Sequence, residues 1–188
     1  VAHPISNVVG FDDAPFARSH RGDVLLVGAV CSRTRLDGVL SGRVRRDGRN
    51  ATRRMIELVA GSQFREHVRA VLLLGIAVAG FNVVDIHGLH EALSVPVLVM
   101  ARRRPDYAAV RRALVRTGPG AARKWRLIER AGAMEPMRGL FVQRAGLSRA
   151  EAEHLLAATT LHGKIPEALR LAHLIAGGVT TGTSRGRA

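Results

Sequence analysis

Cysteine is nearly missing from this chain, and lysine and aromatic residues are scarce. The single cysteine, Cys31, excludes an internal disulfide framework and any paired Cys-x-x-Cys zinc ribbon. A reducing, cytoplasmic setting is therefore expected. Aromatic residues make up only 4% of the sequence, too few for a row of rings stacking on successive bases. Trp125, set among basic residues, is the lone candidate stacker, with helix packing as its alternative role. No apolar stretch approaches the ~20 residues a bilayer span needs, so no membrane partner is expected. The longest such run, around Val71 to Phe81, is broken by glycines and stops at Asn82. HExxH and GxSxG are absent, which leaves zinc peptidase and serine hydrolase chemistry without support. No Gly-Lys-Ser/Thr follows Gly75 or Gly80, so these glycines do not form a phosphate loop.

Acidic residues are scarce as well. Lys+Arg is 29 against Asp+Glu 15, a formal net charge of +14, and the only lysines are Lys124 and Lys164. Such an excess of guanidinium groups points to an anionic partner, nucleic acid first, with a solvated basic surface as the bland alternative. What is present otherwise describes a globular protein: 188 residues, 47% apolar and 23% charged, enough for one domain with a full core. No repeat or linker divides it, so residues 1–188 read as a single domain, with 177–188, rich in glycine and threonine, expected as a flexible tail.

The apolar patterning predicts six strands and a set of helices. Val8–Asp12, Asp23–Ser32 and Gly38–Arg46 read as strands, the third alternating as a strand with one wet face does. Leu36-Asp37-Gly38 reads as the turn between the second and third. Asn50 is a candidate N-cap for a helix carrying Met55, Leu58 and Val59. Val68–Leu74, apolar on both sides, suits the middle of a parallel sheet. A helix over Val83–Leu93, a strand over Val95–Met100, and helices after Pro105 and over Pro119–Ala131 follow. Leu140–Gln143 is a sixth strand, Ser148 with Glu151 has capping-box spacing, and Pro166 opens the last helix. Three hairpin-linked strands followed by alternating helices and strands define an α/β fold of the ribonuclease H-like kind: three antiparallel strands, then parallel βαβ units.

Carboxylates at the ends of buried strands demand a cationic partner, either a divalent metal or an arginine. Asp12 and Asp13 end the first strand, with Arg18 or Arg21 as possible counter-ions. Asp47 follows the third strand, and Asp85 stands where a helix begins, suited to the positive end of its dipole. Asn82 and Asp85 are read either as helix-capping groups or as part of a site. His87 and His90, three apart and followed by Glu91, have transition-metal spacing but are more often a solvated face. Cys31, inside an apolar run, reads as packing rather than as a nucleophile. Arginines cluster at 43, 45, 46, 49, 53 and 54, at 102, 103 and 104, and on the two helices beyond, where Arg123 and Lys124 lie. The triplet at a carboxyl strand end is where ligands gather in open α/β sheets, and guanidinium forks suit phosphate oxygens.

Several stretches resemble a known family, in order and over nearly the whole chain. They are Gly10-Phe11-Asp12-Asp13-Ala14-Pro15-Phe16, Leu36-Asp37-Gly38-Val39-Leu40, Asp47-Gly48, Ala51-Thr52, Gly75-Ile76, Gly80-Phe81-Asn82-Val83-Val84-Asp85-Ile86, and the ending Ile165-Pro166-Glu167-Ala168-Leu169-Arg170-Leu171-Ala172-His173. The family is domain of unknown function 99, whose fold is similar to endonuclease V. That enzyme cleaves nucleic acid near deaminated purines with a divalent metal held by carboxylates, so the resemblance implies a ribonuclease H-like fold, a nucleic-acid partner (DNA or RNA) and Mg²⁺ or Mn²⁺. Its first-strand aspartate falls on Asp12, the implied metal ligand. Its other two metal acids fall near Val44 and on Leu74, which are apolar. The resemblance thus implies a protein that engages nucleic acid through an arginine-rich surface while the ancestral metal-dependent nuclease site is degenerate. The residues expected to touch nucleic acid are Arg45, Arg46, Arg102, Arg103, Arg104 and Asn82. One alternative is an active Mg²⁺-dependent endonuclease with a rearranged acid set, Asp12, Asp47 and Asp85. Another is a non-catalytic partner-binding or structural protein.

Overall fold

The computed structural model describes residues 5–184. The chain builds β1 (Asn7–Asp13), β2 (Asp23–Ser32), β3 (Arg35–Arg45), α1 (Ala51–Ala60), β4 (Ala70–Leu74), β5 (Ala77–Val78), β6 (Asn82–Val83), α2 (Ile86–Leu93), β7 (Val97–Ala101), α3 (Tyr107–Val115), α4 (Ala121–Arg130), β8 (Glu135–Met137), β9 (Leu140–Ala145), α5 (Arg149–Thr159) and α6 (Glu167–Thr181). Seven strands form one mixed sheet in the order β3-β2-β1-β4-β7-β9-β8, and β5 with β6 makes a separate two-stranded ribbon. β1, β2 and β3 are antiparallel neighbours, while β4 and β7 run parallel to β1. The all-apolar Val71-Leu72-Leu73 of β4 is buried on both faces, as a central parallel strand requires.

The two faces of the sheet bury different sets of helices, with α6 contributing to both clusters. Val9, Phe11, Val71 and Leu73 share an apolar cluster with Met55 and Val59 of α1 and with Ile86 and Leu89 of α2. Val8, Leu72 and Leu98 share another with Leu155 and Leu156 of α5 and with Ala168 and Leu169 of α6. α3 and α4 close over β6 through Val83, Leu114 and Ile128. Gly10 decides how α6 lies: a Cβ there would come within 2.7 Å of the Ala168 carbonyl carbon and the Leu169 nitrogen, so only glycine lets this helix backbone rest on β1.

Several expectations need correction. The β2–β3 turn is at Arg33-Thr34, with Arg33 at φ +56°, and Leu36-Asp37-Gly38 lies within β3. There the register shifts between Val30 and Cys31, because Val30 pairs with Gly38 and Cys31 with Leu36, leaving Asp37 as the extra residue of a bulge. Asn82 and Val83 belong to β6, and α2 starts only at Ile86 because the Asp85 side chain caps it, accepting from the Gly88 N–H. The last strands are not parallel βαβ units: β9 is antiparallel to β7 and pairs with an edge strand, β8, that the sequence pattern did not reveal. Residues 177–181 of the expected flexible tail are helical, α6 ending against Gly182 at φ +78°; residues 185–188 lie outside the described residues. The capping box at Ser148 and Glu151 forms as its spacing predicts.

Candidate functional site

Strand direction sorts the polar residues onto one edge of the sheet. β1, β3, β4 and β7 run the same way, so their carboxyl ends share that edge. It carries Asp12 and Asp13 from β1, Arg43 and Arg45 from β3, the Gly75 turn after β4, and Arg102, Arg103 and Arg104 after β7. In open α/β sheets this is the edge where ligands bind.

Alternation along β1 puts Gly10 and Asp12 on one side and Phe11 and Asp13 on the other. Because α6 rests on Gly10, His173, one turn beyond Leu169, meets Asp12: its Nδ1 lies 2.8 Å from Asp12 Oδ2. An ionised carboxylate only accepts, so the pairing puts the ring proton on Nδ1 and leaves Nε2 available. Burial pushes the Asp12 carboxyl above the usual carboxylate range, partly offset by the hydrogen bond and charge of His173. Asp13 is pushed further, from 3.8 to about 6, by burial first and then by the neighbouring Asp12 charge, with hydrogen bonding from the Ala79 backbone pulling the other way. Asp12, Asp13, His173, Pro15, Phe16 and Thr181 line an open groove of about 800 Å³. The expected counter-ions do not serve: Arg21 donates to the carbonyls of Arg18 and His20.

The other two candidate acids are elsewhere, each engaged by the fold. Asp47 sits at φ +52°, accepts the Phe81 N–H at Oδ1 (2.8 Å) and pairs through Oδ2 with Arg46 Nε at 3.3 Å. Asp85 caps α2 and pairs with Arg130 Nη1 at 3.3 Å. Among the described residues no group of three or more His, Cys, Asp or Glu side chains is placed to hold a metal ion, so Asp12, Asp47 and Asp85 do not form a ligand set. His87 and His90 turn to the Arg130 and Val95 carbonyls instead of to a shared ion.

The residues expected to touch nucleic acid divide the same way. Arg45 and the triplet Arg102, Arg103 and Arg104 are exposed on the carboxyl edge, Arg104 lying over the Phe141 ring. Arg46 is turned inward, donating to the Arg18 and His20 carbonyls and covering Phe16. Asn82 is fully buried: its Oδ1 caps α1 at the Ala51 N–H, and its Nδ2 donates to the Arg45 carbonyl and to Asn50. An amide so placed organises the loop and presents nothing to a ligand. It also does the capping expected of Asn50, whose side chain turns back to the Arg45 N–H. His173 reads from the sequence only as a core or supporting group, through its place in the Pro166–His173 ending; the structure sets it directly against Asp12.

A mixed sheet of this strand order has the fold of endonuclease V. The Ciona intestinalis endonuclease V, in complex with a 24mer DNA containing an inosine followed by a ribo-adenosine, superposes with a TM-score of 0.56 at 13% identity, over 89% of this chain and 82% of that one. A crystal structure of an Archaeoglobus fulgidus protein superposes with a TM-score of 0.87 at 32% identity, over 94% of this chain and 99% of that one. The chain belongs to the endonuclease dU family, whose model matches residues 4–180. A UPF0215 protein of Deinococcus radiodurans is 59% identical to it over 187 residues, 99% of this chain and 95% of the relative.

Proposed function

We propose that this protein binds nucleic acid along the carboxyl edge of its sheet and cuts the strand beside deoxyuridine at the groove of Asp12, Asp13 and His173. The observation that carries the proposal is the Asp12–His173 pair, held at 2.8 Å on the rim of an open groove beside a second carboxylate. The family's description, endonuclease dU, supplies the lesion. Exposed Arg45, Arg102, Arg103 and Arg104 supply phosphate contacts that carry no sequence information.

The donor set fits a hard divalent ion of the sparsely held kind. Mg²⁺ is often bound by one or two carboxylates, with substrate phosphates and waters completing its shell, and Asp12 and Asp13 are consecutive carboxylates lining one groove, of which only Asp12 is paired with a base. When bound, such an ion activates water and steadies the charge growing on the phosphate. The side chains themselves hold and move protons. Asp12 orients the His173 ring and keeps Nδ1 protonated, which frees Nε2 to take a proton from water or return one to a leaving oxygen. Asp13, near 6, changes charge close to neutral pH.

The test uses oligonucleotides carrying one deoxyuridine, one deoxyinosine or neither, as single strands and duplexes, with Mg²⁺, Mn²⁺ or chelator. Cutting at deoxyuridine is expected, reduced about 100-fold or more in Asp12→Ala and in His173→Ala, as loss of acid–base catalysis predicts. An Asp12→Ala protein as active as the parent would refute the site.

A second reading, nucleic-acid binding without cleavage, is favoured by Val44. This side chain is fully buried in the apolar core at the place where the resemblance sets a metal acid. Its signature is binding that weakens steeply with salt while every substrate stays intact.

A further inference from the structure

Behind the Asp47 loop lies a cavity of about 300 Å³ that the groove chemistry does not use. Arg49, Arg53, Arg123 and Lys124 line it, together with Thr52 and the single acid Asp85. Asp85 is already neutralised by Arg130, and Arg53 has only a loose partner in Glu57 at 3.5 Å. Arg49 and Arg123 are exposed, and neither has an ion-pair partner among the described residues. Lys124 is unusual for a lysine in being 3% exposed. Its Nζ donates to the Asp47 carbonyl at 2.5 Å, and its two other donors have no partner among the described residues. Burial lowers its proton affinity, so an anion in the cavity would favour its charged form.

Backbone dipoles add to the side chains. The first turns of three helices meet here: Thr52 and Arg53 of α1, Gly88 of α2 behind its cap Asp85, and Arg123 and Lys124 of α4. Neither α1 nor α4 has an acid in its first turn, so the positive ends of both dipoles go unopposed by their own side chains. Thr52 Oγ1 accepts the Asp85 N–H at 2.9 Å, which leaves its hydroxyl hydrogen able to donate. Surplus charge, forked donors and convergent dipoles in one concavity complement an oxyanion, and phosphate is the oxyanion that a nucleic acid carries.

We propose that this cavity is a second nucleic-acid contact, seating a backbone phosphodiester of the strand held at the Asp12 groove. The proposal rests on the nucleic-acid engagement proposed above. The two places adjoin through Asp47, whose carbonyl meets Lys124 on one side and whose N–H donates to Ala79, the neighbour of Asp13, on the other. A strand crossing from groove to cavity passes over one loop.

The test measures binding of the full chain to a fluorescein-labelled oligonucleotide by anisotropy across a salt series. Arg123→Glu and Arg49→Glu should each weaken binding about tenfold at low salt and flatten the slope of log K against log salt by about 1, the signature of one lost phosphate contact. Arg123→Gln should show the same slope change with a smaller loss of affinity. Arg65→Glu, beyond the far end of α1, changes net charge equally and should leave the slope unaltered. Unchanged slopes in the cavity variants, or an equal effect from Arg65→Glu, would overturn the proposal. So would displacement of the oligonucleotide by a mononucleotide at matched ionic strength in the parent protein, which would assign the cavity to a free phosphate. The cleavage assay separates the two proposals. If Asp12→Ala abolishes cutting while the cavity variants bind normally, the groove stands and the cavity falls. If the parent cuts nothing yet the cavity variants bind weakly, the reverse holds.

Discussion

Asp12 and Asp13 are consecutive residues with unequal support, since Asp12 has His173 at 2.8 Å and Asp13 has mainly the Ala79 backbone. A carboxyl whose folded pKa is raised binds its proton more tightly in the folded state, so its contribution to stability is full below the unfolded value and is lost as pH rises through the folded value. For Asp13 that window runs from 3.8 to about 6. In chelator, Asp13→Asn should remove this part of the pH dependence and raise stability at pH 7 by about 3 kcal/mol, measured by urea unfolding at pH 4, 5, 6 and 7. A variant that follows the parent's pH profile would show that Asp13 ionises freely. Asp12 was legible in the sequence because an apolar run ends on it. Its partner was not, because 161 residues separate the two and nothing local reports a contact made by helix packing. Asn82 carried two readings, helix cap or part of a site, and the structure shows the cap: it is fully buried and bonds to backbone on two other elements, α1 and β3. Cys31 behaves as its apolar run predicts, buried and with its thiol pushed up to about 12 by burial first and then by the charges of Glu167 and Asp37.

Among the elements, α6 matters most to the groove, and Gly10 sets its distance from β1. Gly10→Ala forces a methyl group against the Ala168 and Leu169 backbone, which cannot yield as a flexible side-chain end can. Overpacking of this kind costs about 1–3 kcal/mol, and it also lifts His173 away from Asp12. The expected result is a lower melting temperature together with a fall in the proposed deoxyuridine cleavage larger than the loss of folded protein explains. A Gly10→Ala protein with normal stability would mean that α6 is not seated on the strand. Elements with strong periodicity or clear caps were legible: Asp23–Ser32 forms β2 over those residues, and Ser148 starts α5. The misses have local causes. A bulge at Asp37 lets the strand absorb a turn-like Leu-Asp-Gly, and β8 is three residues long with Pro136 at its centre, which matches its place at the sheet edge.

At the scale of the whole molecule, a single seven-stranded sheet joins residues from Asn7 to Ala145, and α6 packs back onto β1, next to the central strand β4. We therefore expect the chain to unfold as one domain: a single calorimetric transition whose van't Hoff and calorimetric enthalpies agree. Two resolved transitions would show that the α3–α4 pair, which packs over β6 in its own small apolar cluster, melts separately. The overall class was legible because hairpin spacing and doubly apolar strands limit the topologies available. The direction of β9 was not, since a short apolar run reads the same either way along a sheet. Asp47 carries a consequence for the molecule as a conductor of force. Its main chain is tied to Ala79 on one flank and to Lys124 on the other, and its carboxylate to the Phe81 N–H. Loosening Asp47 is therefore expected to disturb both flanks at once, and any two guests that each shift it would be coupled reciprocally.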